Sequence, residues 1–166
     1  ILLRPIREQF EHDRVIRQLQ GRWRRRYTVG INPGAEESVP IRIASQEVYP
    51  DLLLTSTDRG RRIQTIVEVE TTESVNHLEA LAEWVRLAKA RGPFHLYVPA
   101  GAAEIAKRLC EENRINVAEI WTFYSVGSQV RFAMAHRSDA ATRALKNRLA
   151  RGGAAAGSKS KKKKKA

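Results

Sequence analysis

Asp51, Glu68 and Glu70 are the side chains whose types and spacing could do chemistry together. They lie at the ends of the stretch from Tyr49 to Glu70, which reads as a two-stranded hairpin. Leu52-Leu53-Leu54, preceded by Pro50-Asp51, has the character of a strand buried on both faces, and Thr57-Asp58-Arg59-Gly60 carries the residues of a tight reversal. From Arg62 onward Ile63, Thr65, Val67 and Val69 alternate with Arg62, Gln64, Ile66, Glu68 and Glu70. That period places Glu68 and Glu70 on one face of the second strand. With the turn centred between Asp58 and Arg59, antiparallel pairing sets Asp51 across from residues 66 to 67, next to Glu68. Three converging carboxylates repel one another and raise their own pKa values unless a cation neutralises them, and their oxygens suit Mg²⁺ or Mn²⁺. The same acids would equally form a solvated sheet face paired with Arg59, Arg61 or Arg62.

The elements that must position these acids follow from periodicity. Between Pro5 and Gln20, Ile6, Phe10, Val15, Ile16 and Leu19 recur at helical spacing, with Pro5 suited to a first turn and Gly21 to the end. Glu8 and Glu11 lie on one flank of this helix, where they can reach the acids or remain on a charged outer face; His12 is equally a site or a surface residue. Arg22-Trp23-Arg24-Arg25-Arg26-Tyr27 is the densest basic segment of the body, with two aromatics interleaved. It suits phosphate contact and base stacking, or a pair of core aromatics with solvated arginines between them. Tyr27 to Ile31 reads as a strand and Asn32-Pro33-Gly34 as a turn. Ala35 to Glu47 reads as irregular, apart from a short strand at Ile41 to Ala44, and as a loop able to close over a substrate.

After Glu70, Ser74 is placed to cap a helix whose inner stripe is Val75, Leu78, Leu81, Ala82, Val85 and Ala88. A strand at Phe94 to Val98, a helix at Ala102 to Asn113 with Ile105, Ala106 and Leu109 inward, and a strand at Val117 to Tyr124 come next. This alternation puts parallel strands beside the hairpin, joined by right-handed crossovers. Gln129 to Ala135 adds an edge hairpin across Gly127-Ser128, and Ser138-Asp139 caps a basic helix to about Ala150. The fold class is therefore α/β, a mixed central sheet of about five strands flanked by helices. Residues 1–135 form the α/β domain, 136–151 a C-terminal basic helix, and 152–166 a disordered lysine-rich tail, since Gly, Ala, Ser and Lys bury too little to offset ordering.

The 166 residues carry 30 Lys and Arg against 18 Asp and Glu, a formal net charge of +12. Half of that excess sits on Lys159 and Lys161 to Lys165, so the body is basic in its own right. A polyanionic partner is implied, nucleic acid first and an anionic membrane surface second. In the tail, Lys161, Lys162 and Lys163 would hold a nucleic-acid backbone, although a solubility tail or targeting signal has the same composition. Cys110 is the single cysteine, which excludes an intrachain disulfide and a cysteine zinc site and points to a reducing compartment: cytoplasmic, nucleoid-associated, or nuclear in a eukaryote. It falls in an apolar helical stripe, a poor place for a nucleophile. Neither a signal peptide nor an apolar run of the ~18 residues needed for a membrane span is present. The sequence opens at Ile1 and reads as a chain lacking its first residues.

The succession of helix, strand, hairpin, helix and strand, with Pro50-Asp51 opening one hairpin strand and Glu68-Val69-Glu70 closing the other, resembles the PD-(D/E)xK nuclease superfamily, the restriction-endonuclease-like three-layer fold, over residues 5 to 124. The resemblance implies that Asp51 and Glu68 ligate Mg²⁺ or Mn²⁺, that Val69 adds its backbone carbonyl, and that an acid of the first helix completes the site, Glu11 first and Glu8 behind it. It implies a magnesium-dependent endonuclease hydrolysing DNA phosphodiesters, DNA before RNA, with a homodimer as the assembly that cuts both strands, Arg22, Trp23, Arg24, Arg25 and Arg26 on the backbone and no membrane partner. Where the family has lysine this chain has Glu70, and no lysine precedes Lys89. Some restriction enzymes of this fold carry glutamate there, which shifts the expected mechanism toward Glu70 as general base or ligand of a second metal ion. The same substitution suits an inactive member of the fold acting as a nucleic-acid-binding or scaffold module.

Overall fold

A computed structural model of the chain describes residues 4–161, with side chains as far as residue 152. The elements are α1 (Ile6–Trp23), β1 (Thr28–Ile31), β2 (Ile41–Ile43), β3 (Gln46–Val48), β4 (Leu52–Thr55), β5 (Ile63–Val69), α2 (Leu78–Leu87), β6 (Phe94–Pro99), α3 (Ala103–Glu112), β7 (Glu119–Val126), β8 (Gln129–Arg137) and α4 (Asp139–Lys161). Six strands, one more than the sequence reading of about five, make a mixed sheet in the order β1-β4-β5-β6-β7-β8. The β1–β4, β4–β5 and β7–β8 pairs are antiparallel, while β5–β6 and β6–β7 are parallel because α2 and α3 carry the chain back between them.

Both faces of the sheet are covered, which is why β4 is apolar at three successive positions. Leu52 and Leu54 join Val67, Val69, Tyr97 and Phe123 against Val15, Ile16 and Leu19 of α1. Leu53 points the other way with Ile66, Leu96 and Ile120, where Trp84 and Leu87 of α2 and Ala106 and Cys110 of α3 close the second core. Burial pushes the Cys110 thiol up to about 12, as expected of an inert buried cysteine. The separate β2–β3 hairpin adds Ile41, Val39, Ile43 and Val48 to this second core.

Several elements depart from the periodicity reading. α1 continues through Gly21 to Trp23, since Trp23 still packs on the α1 core and nothing opposes a helical glycine there. In the segment read as irregular apart from a short strand at Ile41 to Ala44, that strand is present as β2 and is paired with an unforeseen β3, the turn between them placing Ala44 at φ 55°. The Asn32 side-chain amide donates to the carbonyls of Val39 (2.9 Å) and Pro50 (2.7 Å), and its oxygen accepts from the backbone N–H groups of Ser38 and Val39. α2 begins at Leu78, because Ser74 is engaged by Thr71 and Glu70 and His77 takes the N-cap position. Its buried stripe is Ala80, Trp84 and Leu87; Leu78 and Ala82 face solvent. On α3 the buried positions are Ala106 and Cys110, with Ile105 and Leu109 partly covered. β8 runs to Arg137, and the backbone of α4 continues to Lys161, so the segment read as disordered from residue 152 is helical to 161; Ala154 to Ala156 favour that continuation. Residues 162–166 lie outside the described ones.

Gly30 on β1 sets a limit on packing. A Cβ there would sit 2.5 Å from Cγ1 of Val39 and 3.0 Å from its Cγ2. Gly30→Ala is expected to lower stability by about 1–3 kcal/mol, because a stiff β-branched neighbour must move. Paired denaturant titrations of Gly30→Ala and the double variant Gly30→Ala/Val39→Ala check this, the second recovering part of the loss.

Candidate functional site

The turn between β4 and β5 is wider than a two-residue reversal. Ser56 N–H donates to the carbonyl of Arg62 (2.9 Å), Asp58 accepts from Ser56 Oγ and the Gly60 N–H, Arg61 stands at φ 42°, and the ladder shifts between Leu54 and Thr55. Leu52 therefore pairs with Val67, and Asp51 comes directly opposite Glu68 rather than residues 66 to 67. The wider turn moves the register two places and brings the acids closer than the sequence suggested. The Asp51 N–H donates to Glu68 Oε2 (3.3 Å), the Val69 N–H donates to Asp51 Oδ2 (2.8 Å), and the Asn32 N–H holds the Asp51 carbonyl (3.0 Å). Asp51, Glu68 and Glu70 are all buried, which excludes the solvated face paired with Arg59, Arg61 or Arg62.

His12 belongs to this cluster. It is fully buried on α1; its Nε2–H donates to Asp51 Oδ2 at 3.0 Å and its Nδ1–H to Asp13 Oδ1 at 3.1 Å. Burial disfavours its charge, but the carboxylates of Asp51 and Asp13 outweigh that and hold the imidazole above its ordinary value. Burial likewise disfavours charge on Asp13, yet His12, the Gly34 N–H (2.9 Å) and Gln9 (2.7 Å) keep its carboxyl below the usual range. The result is an Asp13–His12–Asp51 chain in which the two carboxyl groups favour the protonated imidazole.

Glu70 lies on the α2 side, where Ser74 Oγ–H and the Trp84 indole N–H (2.8 Å) donate to its two oxygens and the Arg4 guanidinium stands 3.5 Å away. Burial still raises its pKa against these partners. Glu68 is pushed furthest, well above the carboxylate range, first by burial and then by the charges of Asp51, Glu83 and Glu70. Glu83 on α2 rises for the same reasons, burial before the charges of Glu70 and Asp51. Buried acids thus outnumber the cations His12 and Arg4 beside them. On α1, Glu8 shares the face of His12 one turn away, and its Oε2 is buried without a hydrogen-bond partner among the described residues; Glu11 lies about 100° around the helix from that face.

Glu83 escaped the sequence reading and His12 was left there between a site and a surface role, although one signal marks both. His12 occupies a stripe with Val15, Ile16 and Leu19, and Glu83 one with Ala80, Trp84 and Leu87. A titratable residue inside an apolar helical stripe is buried and must have a partner.

The donor chemistry, oxygens of carboxylates with an unpaired one among them, fits a hard divalent cation. Among the described residues, however, no group of three or more His, Cys, Asp or Glu side chains is arranged at metal-holding distances. Asp51 is occupied by His12 and Val69, and Glu70 by Ser74, Trp84 and Arg4.

The basic segment divides. The Arg22 guanidinium lies over the rings of Trp23 (5.5 Å), Phe132 (5.8 Å) and Trp121 (6.0 Å) while the residue remains exposed. Trp23 and Tyr27 pack on the α1 core, and Arg24, Arg25 and Arg26 stand exposed. Lys161 ends α4 without a described side chain, and Lys162 and Lys163 lie outside the described residues. No helix among the described residues is long and apolar enough to cross a membrane. No protein-family model, curated protein or solved structure matches the chain.

Proposed function

We propose that the protein is a metal-dependent nuclease that hydrolyses phosphodiester bonds of DNA at the Asp51–Glu68–Glu70 cluster. The observation that carries this reading is the excess of buried carboxylate at the end of the β4–β5 hairpin, Asp51 directly opposite Glu68, with His12 and Arg4 as the only described cations beside it. Burying that many acids costs stability unless the charge serves a ligand. The order α1, three antiparallel strands, α2 and a parallel strand agrees with the restriction-endonuclease-like core.

Asp51 and Glu68 would hold Mg²⁺ or Mn²⁺, with the Val69 carbonyl beside them and Glu8 and Glu83 as further acids. Bound there, the cation supplies positive charge to a phosphoryl oxygen and lowers the pKa of water. Glu70, its pKa raised by burial, takes the proton of the attacking water in the place of the family's lysine. His12 holds Asp51 in position and supplies the positive charge that Asp51 otherwise lacks, so loading the site displaces the His12 proton. Arg24, Arg25 and Arg26 hold the phosphate backbone.

Metal binding is then linked to pH with a fixed sign. Glu68, Glu70 and Glu83 have raised pKa values in the fold, so the metal-free protein loses stability as pH climbs from the ordinary carboxylate range through those values. His12, also raised, contributes stability that is full below its ordinary value and disappears as pH rises through its folded value. His95, lowered by burial, is deprotonated both folded and unfolded above about pH 7. Above the ordinary values of these groups the metal-free melting temperature should therefore fall as pH rises for as long as they release protons, and Mn²⁺ should raise it more at the higher pH. Scanning calorimetry with and without Mn²⁺, run beside a cleavage assay on duplex, single-stranded and junction DNA, tests the reading. Absence of both the Mn²⁺ shift and any product sinks it.

A second reading, a noncatalytic nucleic-acid-binding or scaffold module, rests on the occupation of Asp51 and Glu70 by protein donors. Salt-sensitive DNA binding indifferent to Mg²⁺, without products, is its signature.

A further inference from the structure

A cleft of about 840 Å³ opens on the α1 face of the sheet, at the end of the strands opposite the acid cluster. Tyr97 and Trp121 line its floor, Trp23 and Tyr27 one wall, and Ala144 and Arg148 of α4 the other. Its size is that of cavities that enclose small organic ligands.

The floor is aromatic and tightly packed: Tyr97 is 3% exposed and backs the half-buried Trp121, which with Trp23 and Tyr27 faces the cleft. The Tyr97 and Trp121 rings are parallel within 6° at 5.9 Å, Phe132 meets Tyr97 edge-on at 5.7 Å, and Arg22 lies against Trp121 and Phe132. Beside it Glu119 accepts from the Trp121 indole N–H and the Arg137 Nε–H, both at 2.8 Å, with His95 at 3.5 Å. Burial opposes charge on Glu119, yet His95, Trp121 and Arg137 together hold it ionised. That carboxylate is spent within the protein. Arg26 and Arg148, which also line the cleft, are exposed and form no ion pair among the described residues, so the cleft has an anion-seeking rim over an apolar and aromatic interior. Gln64, Thr65 and His95 add hydrogen-bonding groups that a plain hydrocarbon chain would leave unpaired.

We propose that this cleft binds a nucleobase carrying a phosphate, the base against the half-buried rings of Trp121, Trp23 and Tyr27 and the phosphate at Arg26 and Arg148. The ligand is either a free nucleotide or the terminal nucleotide of a strand; the site does not depend on the nuclease reading, since none of its residues belongs to the acid cluster. Base stacking on aromatic rings and paired arginines on phosphate are the contacts that such a ligand needs.

Adenosine 5′-monophosphate titrated into the full chain by calorimetry tests the site. Saturable binding is expected, weakened at least about tenfold by Arg148→Ala and by the cleft-filling Ala144→Phe, as for loss of a charged hydrogen bond or of the space itself. Asp51→Asn should leave it unchanged. A 5′-phosphorylated single strand that binds tenfold tighter than the mononucleotide identifies a strand end as the source, and equal affinity identifies the free nucleotide; either supports the proposal. No saturable binding at millimolar nucleotide, affinity unmoved in both cleft variants with native circular dichroism, or decanoate displacing the nucleotide as well as the nucleotide itself would overturn it.

Discussion

Asp51→Asn is expected to reduce Mg²⁺-dependent DNA cleavage by at least about a thousandfold, the factor that several kcal/mol of lost transition-state charge stabilisation gives. The substitution keeps the shape of the side chain, and its remaining oxygen still accepts from the Val69 N–H that now reaches Asp51 Oδ2 at 2.8 Å. What it removes is the negative charge that faces both the His12 imidazolium and any divalent cation. His12 should then lose its proton near neutrality, because Asp51 is the leading influence that opposes its burial. DNA affinity should hold or increase, since a charge that repels phosphate is gone. Single-turnover cleavage with excess enzyme, beside equilibrium binding of the same oligonucleotide, separates the two effects. Cleavage at the parental rate by a pure preparation would remove Asp51 from the reaction.

Trp84→Ala should cost about 3–5 kcal/mol of folding free energy, and more if Glu70 ionises. Trp84 is 0% exposed and is among the largest side chains of the core between α2 and the sheet. Its indole N–H is also one of the donors to the Glu70 carboxylate, itself 0% exposed, so truncation opens a cavity beside a buried acid that has lost a partner. Trp84→Phe isolates the second effect. It retains most of the volume and should lose about 1–3 kcal/mol, with the loss growing toward high pH as Glu70 gives up its proton. Urea titrations at two pH values measure both variants, and a pH-independent loss in Trp84→Phe would mean that the indole supports packing alone.

The sheet and its acids were legible because strands with a two-residue period leave few alternatives. Alternation from Ile63 to Val69 fixed which residues share a face, and the triple leucine fixed β4 as covered on both sides. The register was not legible, since it depends on how Ser56, Asp58 and Arg62 hydrogen-bond within the turn. α2 misled for a different reason. Apolar residues surround it almost completely, so periodicity alone does not choose between a stripe through Leu78 and one through Trp84. The choice is made by Glu70, which needs the indole N–H. In α1 the charged residues on both sides of His12 hid a histidine that the stripe itself placed inside. Of the β2–β3 hairpin only β3 escaped notice, because Gln46 and Glu47 leave Val48 as its one apolar residue.

One side chain near the acids governs how freely this family of shapes could diversify. Asn32 ties the start of the excursion through residues 33–49 to its end, by way of Val39 and Pro50. Because both ends are fastened together, the length and charge of the tip around Ala44 and Ser45 are uncoupled from the register of β1 on β4. Any replacement that retains the asparagine and the apolar residues Val39, Ile41, Ile43 and Val48 grafts a new outer surface beside an unaltered acid cluster. Evolution, or a protein engineer, can exchange that flap as a cassette.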